Sequence, residues 1–426
     1  MEKIVTRNFD KPNSHRWSTY LADHGYAAAR QAITEMTPAA VIDEVKTSNL
    51  RGLGGAGFPT GMKWSFIPAA NPKPKYLVIN GDEGEPGTFK DKYIFEKDPH
   101  AFLEGIMITC YAIGSHKAYV YIRGEYVKQI EIMQGAVDEA YKNGYLGKGV
   151  MGTGFDLDVV VHMGAGAYIC GEETALLESI EGNKGLPRLK PQFPAIVGLI
   201  GCPTGINNVE TVTCVPQIIL KGAEWYAKLG CEKNGGNRLF CVSGHVAKPG
   251  VYELPNGTTL REIIYDHAGG IPNGRKLKAV IPGGISAPLL TPDQLDVKMD
   301  FDSLKAVGSM AGSGGIIVMD DTTDMVWAAM IAARFYAHES CGQCSPCREG
   351  SGWVYRNVKR INDGHGRPQD LANLPGIVNN IGGNTICAFG DAVTMCISSY
   401  VAKFKVEFEA KIKSGTPGPV KETVHI

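Results

Sequence analysis

The chain has 426 residues, 44% of them hydrophobic and 20% charged, and its 43 basic and 44 acidic side chains leave a formal charge of −1. That length suits about three domains at ~150 residues each, with the composition of a globular protein. Near-neutrality removes the electrostatic case for nucleic acid or an anionic membrane surface, and no apolar run approaches the ~20 residues of a membrane span. The opening stretch, MEKIVTRNFDKPNSHRW, lacks the apolar core of a signal peptide, and eleven cysteines, an odd number, are not a disulfide framework. A reducing compartment fits. There, clustered cysteines mean metal or redox chemistry and scattered ones are small buried hydrophobes.

Residues 18–46 read as helices: STYLADHGYAAARQAI, then a new start at Thr37-Pro38. RGLGGAGFPTG (51–61) matches G-x-G-x-x-G at Gly52, Gly54 and Gly57, but it follows a polar segment rather than a strand. Phe58-Pro59-Thr60-Gly61 is expected to interrupt any helix after it. Its side-chain-free backbone can still converge N–H groups on a phosphate, with Lys63 as counter-charge; a tight surface turn is the plain alternative. KYLVIN (75–80) is a strand running into NGDEGEPGTFKD, so Asp82, Glu83 and Glu85 stand at a strand's carboxyl end, where open α/β sheets bind ligands. A solvated acidic loop is the other reading.

AFLEGIMITCYAIG (101–114) is helical, KAYVYIRG (117–124) a second strand, and YVKQIEIMQGAVDEAYKNG a helix. LDVVVHM (157–163) is a third strand, followed by a helix from about Glu172 to Ile180. This alternation argues for a parallel α/β sheet. Between them, MGAGAYICGEET places Tyr168 to stack on a ligand or to serve as a core aromatic, with Glu172 and Glu173 at a helix start. GINNVET (205–211) offers Asn207 and Asn208, neutral amides suited to hydrogen-bonding a heterocycle; a turn with paired asparagines is the plain alternative. His162 and His338 read as structural.

Beyond 236, RLFCVSGHVAKPGVYELPNGTTLREIIYDHAGG mixes short strands, Gly/Pro turns and a short helix, a small α+β domain ending near GGIIVMD (314–320). From Thr322 the pattern is helical: MVWAAMIAARFYAHES, a helix after the next cysteines, and AVTMCISSYVAKFKVEFEAKIK. The polar tail SGTPGPVKETVHI is expected to fray.

HESCGQCSPCREG (338–350) sets Cys341, Cys344 and Cys347 at three-residue intervals. Structural zinc usually draws on two separated cysteine pairs, whereas three close thiolates and one distant partner is the spacing of a cubane iron–sulfur cluster. Ser345 and Pro346 read as N-cap and first residue of a helix whose positive end stabilises an anionic cluster. Cys387 and Cys396 compete for the fourth position. Cys396 lies in the apolar helical run AVTMCISSY, as a core cysteine does; Cys387 lies in the irregular stretch GGNTICAFGDA, as a loop-borne ligand does, and is preferred.

RGLGGAGFPTG, DEGEPGTFKD, GAGAYICGEETAL, NNVET and CGQCSPCR, in this order, closely resemble the NADH-binding flavoprotein family of respiratory complex I, the F subunit of NADH:quinone oxidoreductase. Diaphorase subunits of NAD-linked hydrogenases and formate dehydrogenases are near relatives. The resemblance spans about residues 20–410. It implies an N-terminal helical segment (1–50), a Rossmann-like flavin domain (51–235), a β-grasp, ubiquitin-like domain (236–321) and a C-terminal helical bundle (322–426) carrying a [4Fe–4S] cluster. It further implies that Cys341, Cys344, Cys347 and Cys387 ligate that cluster. Gly52, Gly54, Gly55 and Lys63 would hold the FMN phosphate and ribityl chain, and Asn80, Asp82, Tyr168, Gly171, Asn207, Asn208 and Thr211 would line the rest of the flavin site. Phe58, Phe66 and Phe193 would sandwich the adenine of NADH, with Glu85, Glu173 and Lys190 nearby. Glu85 and Glu173 are the catalytic candidates, Glu85 tuning charge around the nicotinamide and the release of NAD⁺.

The implied activity is NADH oxidation through FMN and the cluster, feeding a thioredoxin-like [2Fe–2S] subunit and a large multi-cluster iron–sulfur subunit of a quinone-reducing complex. The implied location is the peripheral arm on the cytoplasmic side of the inner membrane, soluble by itself. A diaphorase role is the alternative; a non-catalytic scaffold fits poorly with intact glycine loops and four cysteines. The chain departs from the family pattern twice. Leu53 replaces the usual arginine, removing a cation near the flavin, and GDEGEPG replaces ADESEPG, which is expected to loosen the loop.

Overall fold

A computed structural model describes residues 2–191 and 193–419; residues 420–426 of the polar tail lie outside the described residues. The first sheet has four parallel strands, β1 (Tyr76–Gly81), β2 (Lys117–Ile122), β3 (Asp158–Met163) and β4 (Thr204–Asn208), in the order β3-β2-β1-β4. The alternation of the sequence predicts the first three. The fourth corrects it: GINN is not a turn but a strand in register with β1, Asn80 opposite Asn208, and Asn208 then caps the helix Val209–Lys221 by accepting from Glu210 N.

The pleat sends alternate residues to opposite faces. From β1, Leu77 and Ile79 enter one core, and Val78 the other. The first face is covered by the N-terminal helices and by Pro99–Ile113 and Val209–Lys221. Pro99–Ile113 begins at the Asp98 cap and ends at Gly114 with φ +70, and it is buried almost all round because other helices cover its outer side. Gly105 permits that crossing: a Cβ there would lie 2.1 Å from Val212 O. The N-terminal stretch 18–46 is interrupted where His24 and Tyr26 take positive φ, giving Trp17–Ala22, Ala27–Glu35 and Pro38–Thr47, the last capped by Thr37.

The second sheet runs β6-β5-β8-β7, with β5 (Asn237–Gly244) parallel to β8 (Gly315–Asp320), and β6 (Gly250–Pro255) and β7 (Leu277–Ile281) antiparallel to their neighbours. This is the β-grasp pattern, with its own core around Phe240, Ile263 and Ile316. The C-terminal bundle has four helices, Met325–Glu339, Ser345–Asn362, Pro368–Ile381 and Phe389–Ser414; the third, with Pro375 inside it, escapes the sequence reading. The bundle shares one core with the second face of the parallel sheet, through Val78, Tyr121, Ile169 and Leu176, and with Ala279, Ile281 and Ile285 of the β-grasp unit. Among the described residues no helix is long and apolar enough to cross a membrane.

Candidate active site

With the order β3-β2-β1-β4, the chain leaves β1 toward one edge and returns to β1's other side only at β4. Such a switch point opens a crevice at the strands' carboxyl ends, and there the sheet sets Asn80 and Asp82 beside Asn207 and Asn208. Asn80 donates from Nδ2 to Gly171 O (2.8 Å) and accepts from Asp82 N (3.2 Å). Asn207 accepts from Trp64 Nε1 at 2.9 Å, and Asn208 is held by Asp91 Oδ2 (2.7 Å) and the buried Lys90 ammonium (3.2 Å).

The glycine loop closes over this crevice. Gly52 N donates to Phe58 O (2.8 Å) and Thr60 N to Leu50 O (2.9 Å), and a Cβ at Gly54 would fall 2.8 Å from Asn208 Cβ. At Gly55, with φ +148, nothing lies within 4 Å of the same point, so the loop presents bare backbone to open space. The expected interruption at Phe58–Gly61 is corrected: a short helix starts at Thr60 and runs to Ser65, with Pro59 just before it, where its lack of an N–H costs nothing. That helix carries Lys63, whose ammonium pairs with Glu173 Oε2 at 3.2 Å. Leu53, where the family pattern has arginine, is 2% exposed and packed in the core, while its N–H donates to Thr211 Oγ1 (2.8 Å). Nor can Arg51 stand in; it binds Gly57 O and Asp302.

The three acidic residues part ways. Glu83 turns away to accept from Asp91 N (2.8 Å), Lys92 N (3.2 Å) and Tyr126 OH (3.0 Å), a structural role. Asp82 keeps Oδ2 buried without a partner, and burial pushes its carboxyl up to about 7, with Arg123 opposing. Glu85 accepts from Tyr168 OH at 2.6 Å. Tyr168 does not lie free to stack: its ring meets Phe335 and Phe389 of the helical bundle at 5.1 and 5.9 Å. The two glycines of the altered loop do not loosen it. A Cβ at Gly81 would sit 2.7 Å from Tyr121 O, and one at Gly84 would sit 3.1 Å from Tyr168 Cδ2.

Phe58 and Phe66 are exposed, with centroids 5.9 Å apart. Phe193 makes no ring contact with them among the described residues; Lys190 lies 6.0 Å over its face. His162 stacks on Tyr121, and His338 is exposed beside Glu339.

Cys341, Cys344, Cys347 and Cys387 line one cavity with Ile169 and Phe389. Cys396 is not on that cavity; it is 1% exposed inside the last helix. The N-cap reading shifts by one residue: Cys344 holds the position before Ser345–Asn362 without a side-chain capping bond, which leaves Cys347 in the first turn. Among the described residues no three acidic, histidine or cysteine side chains converge on one metal ion. The four cysteines share one cavity, and four thiolates around it suit a cubane with a thiolate at each iron corner. Ser340 Oγ lies 3.2 Å from Cys347 Sγ and Ile386 N 3.5 Å from Cys344 Sγ, contacts of the kind that tune a cluster's potential. Ile169 and Phe389, which line this cavity, carry no sequence signal of that role.

The chain matches the Nuo51 FMN-binding domain over residues 45–217, an SLBB domain over 238–318 and the NADH-ubiquinone oxidoreductase-F iron-sulfur binding region over 327–411. It is 55% identical over 412 residues to the second F subunit of NADH-quinone oxidoreductase of Rhizobium meliloti (strain 1021), covering 97% of this chain and 98% of that one. The corresponding F subunit of Rickettsia typhi (strain ATCC VR-144 / Wilmington) is 53% identical over 375 residues, 88% of this chain and 89% of that one. Among solved structures, NAD⁺-reducing [NiFe]-hydrogenase in the H₂-reduced state superposes with TM-score 0.84 at 35% identity, covering 93% of this chain and 67% of that one. A bare glycine loop, an unpartnered buried carboxylate and four sulfurs around one cavity fit FMN and a [4Fe–4S] cluster. The chain belongs to the family of NADH-quinone oxidoreductase F subunits, the flavoprotein subunits of NADH dehydrogenases that carry FMN and a [4Fe–4S] cluster.

Proposed function

We propose that the protein oxidises NADH and delivers the electrons singly to partner subunits of a quinone-reducing respiratory complex, residues 51–235 handling flavin and NADH, 236–321 forming the β-grasp unit and 322–426 the cluster bundle. One observation carries this reading. The Tyr168–Gly171 turn touches both sites: Gly171 O binds Asn80, Tyr168 OH binds Glu85, and Ile169 walls the cysteine cavity. FMN, when bound, supplies the exchange between a two-electron hydride donor and one-electron carriers.

The chain supplies the placement. Gly52, Gly54, Gly55 and Lys63 hold the phosphate end, and Asn80, Asp82, Tyr168, Gly171, Asn207, Asn208 and Thr211 hold the ring end. Asp82, its carboxyl pushed by burial up to about 7, is partly protonated at neutrality, and in that form it can donate as well as accept there. Phe58, Phe66 and Phe193 offer exposed faces for adenine, with Lys190 beside them, and Glu173 faces its ribose. Glu85 stabilises positive charge as the nicotinamide loses hydride. Cys341, Cys344, Cys347 and Cys387 hold the cluster. The partners in this reading are a thioredoxin-like [2Fe–2S] subunit and a multi-cluster iron–sulfur subunit, in a peripheral arm at the cytoplasmic face of the inner membrane.

Anaerobic absorption tests the core of it: a flavin band that NADH bleaches, above a broad iron–sulfur shoulder. A protein lacking either feature overturns the reading. Lys63→Ala removes the cation assigned to the phosphate, and folded protein is expected to retain clearly less FMN on purification; unchanged FMN content would place the phosphate elsewhere. The likeness to an NAD⁺-reducing hydrogenase favours a second reading, a diaphorase subunit. Affinity purification from the native cell separates the two, since a hydrogenase or a formate dehydrogenase brings a different catalytic subunit.

A further inference from the structure

The β-grasp unit supplies none of the side chains placed so far at the flavin or the cluster, yet the loop after β7 closes onto the acidic loop of the flavin unit. Ile285 N donates to Pro86 O at 3.2 Å, and Ser286 N donates to Glu85 Oε1 at 2.8 Å. The other carboxylate oxygen takes the Tyr168 hydroxyl. Ser286 Oγ in turn accepts from Tyr336 OH at 3.2 Å, and Tyr336 is fully buried on the helix Met325–Glu339. Gly284 makes the approach possible: with φ +92, a Cβ there would lie 2.5 Å from Glu85 Cγ. Three separate parts of the chain thus meet on one carboxylate.

We propose that Ser286 and Tyr336 are positioning residues that hold the Glu85 carboxylate in place and ionised for NADH oxidation; this rests on the role given to Glu85 above. Burial works against that charge, and the bonds from the Tyr168 hydroxyl, the Ser286 N–H and the Ser286 hydroxyl work for it, the last being the one that Ser286→Ala removes. The other titratable groups facing Glu85 are Tyr168, Tyr336 and the Cys396 thiol, all kept neutral by burial. Among the described residues no cation faces it. Hydrogen bonds are therefore the means by which the protein keeps Glu85 anionic. Tyr336 OH polarises the Ser286 hydroxyl, and Ser286 passes that on to Glu85.

The test compares Ser286→Ala, Tyr336→Phe, Ser286→Thr and Glu85→Gln in ferricyanide-linked NADH oxidation across pH. Glu85 protonation is read separately, as the carboxylic-acid C=O infrared band that Glu85→Gln lacks. That band is present with or without flavin, so it decides even for a variant that has lost FMN. A carboxylate deprived of a donor holds its proton to higher pH. Ser286→Ala and Tyr336→Phe are expected to lower kcat/KM about three- to tenfold on the acid limb, more than on the plateau, as one ordinary hydrogen bond predicts. In both, the band persists to higher pH, and Ser286→Thr restores the parent profile. If Glu85→Gln keeps the parent's acid limb, the role of Glu85 itself fails. If Glu85→Gln abolishes the limb while Ser286→Ala and Tyr336→Phe leave limb and band where they were, the positioning role is overturned and the Glu85 reading stands.

Discussion

Cys387→Ser is expected to abolish the low-temperature EPR signal of the reduced cluster, and Cys396→Ser to preserve it. The two cysteines are nine residues apart in sequence, but only Cys387 lies on the cavity of Cys341, Cys344 and Cys347. As a free thiol Cys387 is pushed by burial to about 11, and in the proposed reading iron takes the place of its proton. A serine hydroxyl is a far weaker partner for iron and leaves one corner open. Cys396 packs inside the last helix, its thiol held neutral by burial, and serine there costs on the order of 1–2 kcal/mol of burial without touching the cavity. Iron content and EPR on the same preparations decide. The opposite pattern would move the fourth ligand to Cys396, and zinc in place of iron would remove the cluster altogether.

Glu173→Gln is expected to raise kcat/KM for NADPH at least tenfold while lowering that for NADH less steeply. The two nucleotides differ by a phosphate on the adenosine ribose, and a carboxylate facing that ribose accepts from free hydroxyls and repels the added charge. Like charges ~4 Å apart cost about 1 kcal/mol in water and about 4 kcal/mol at an effective dielectric near 20. Glu173 is half-buried and paired with Lys63 at 3.2 Å, which puts the effect between those limits and adds a second consequence. The amide frees Lys63, a cation that the added phosphate can meet. Ferricyanide as acceptor isolates this half-reaction from partner subunits. The double variant Lys63→Ala/Glu173→Gln separates the lost repulsion from the gained attraction. An unchanged NADPH to NADH ratio in the single variant would assign the selectivity to another group, with Glu85 next to test.

Much of this molecule is legible in residue order because much of it is local physics. The short apolar runs KYLVIN, KAYVYIRG and LDVVVHM encode strands, the third at an edge of the sheet with Val160 and Met163 exposed. Three cysteines at three-residue spacing encode a cluster site whatever surrounds them, and Thr37-Pro38 encodes a helix start. What residue order alone could not decide depends on partners far along the chain. GINN reads as a turn because glycine and paired asparagines favour one locally; pairing with β1 overrides that preference and builds the crevice. Asp82, Glu83 and Glu85 look alike as neighbours, but a helix N-terminus takes Glu83, burial isolates Asp82, and the β-grasp loop takes Glu85. Leu53 reads as a cation lost from the flavin site, and the structure shows a core residue. Cys387 and Cys396 differ by which faces the cavity, a matter of how the last helix docks. Ser286 and Tyr336 carry no sequence signal, since their role exists only where three units bury one charged group. Short-range propensity declared most elements, cysteine spacing pointed to an iron–sulfur cluster and the family resemblance implied the flavin; long-range burial, which decides which polar groups lose water and must find protein partners, set the contacts of the individual side chains.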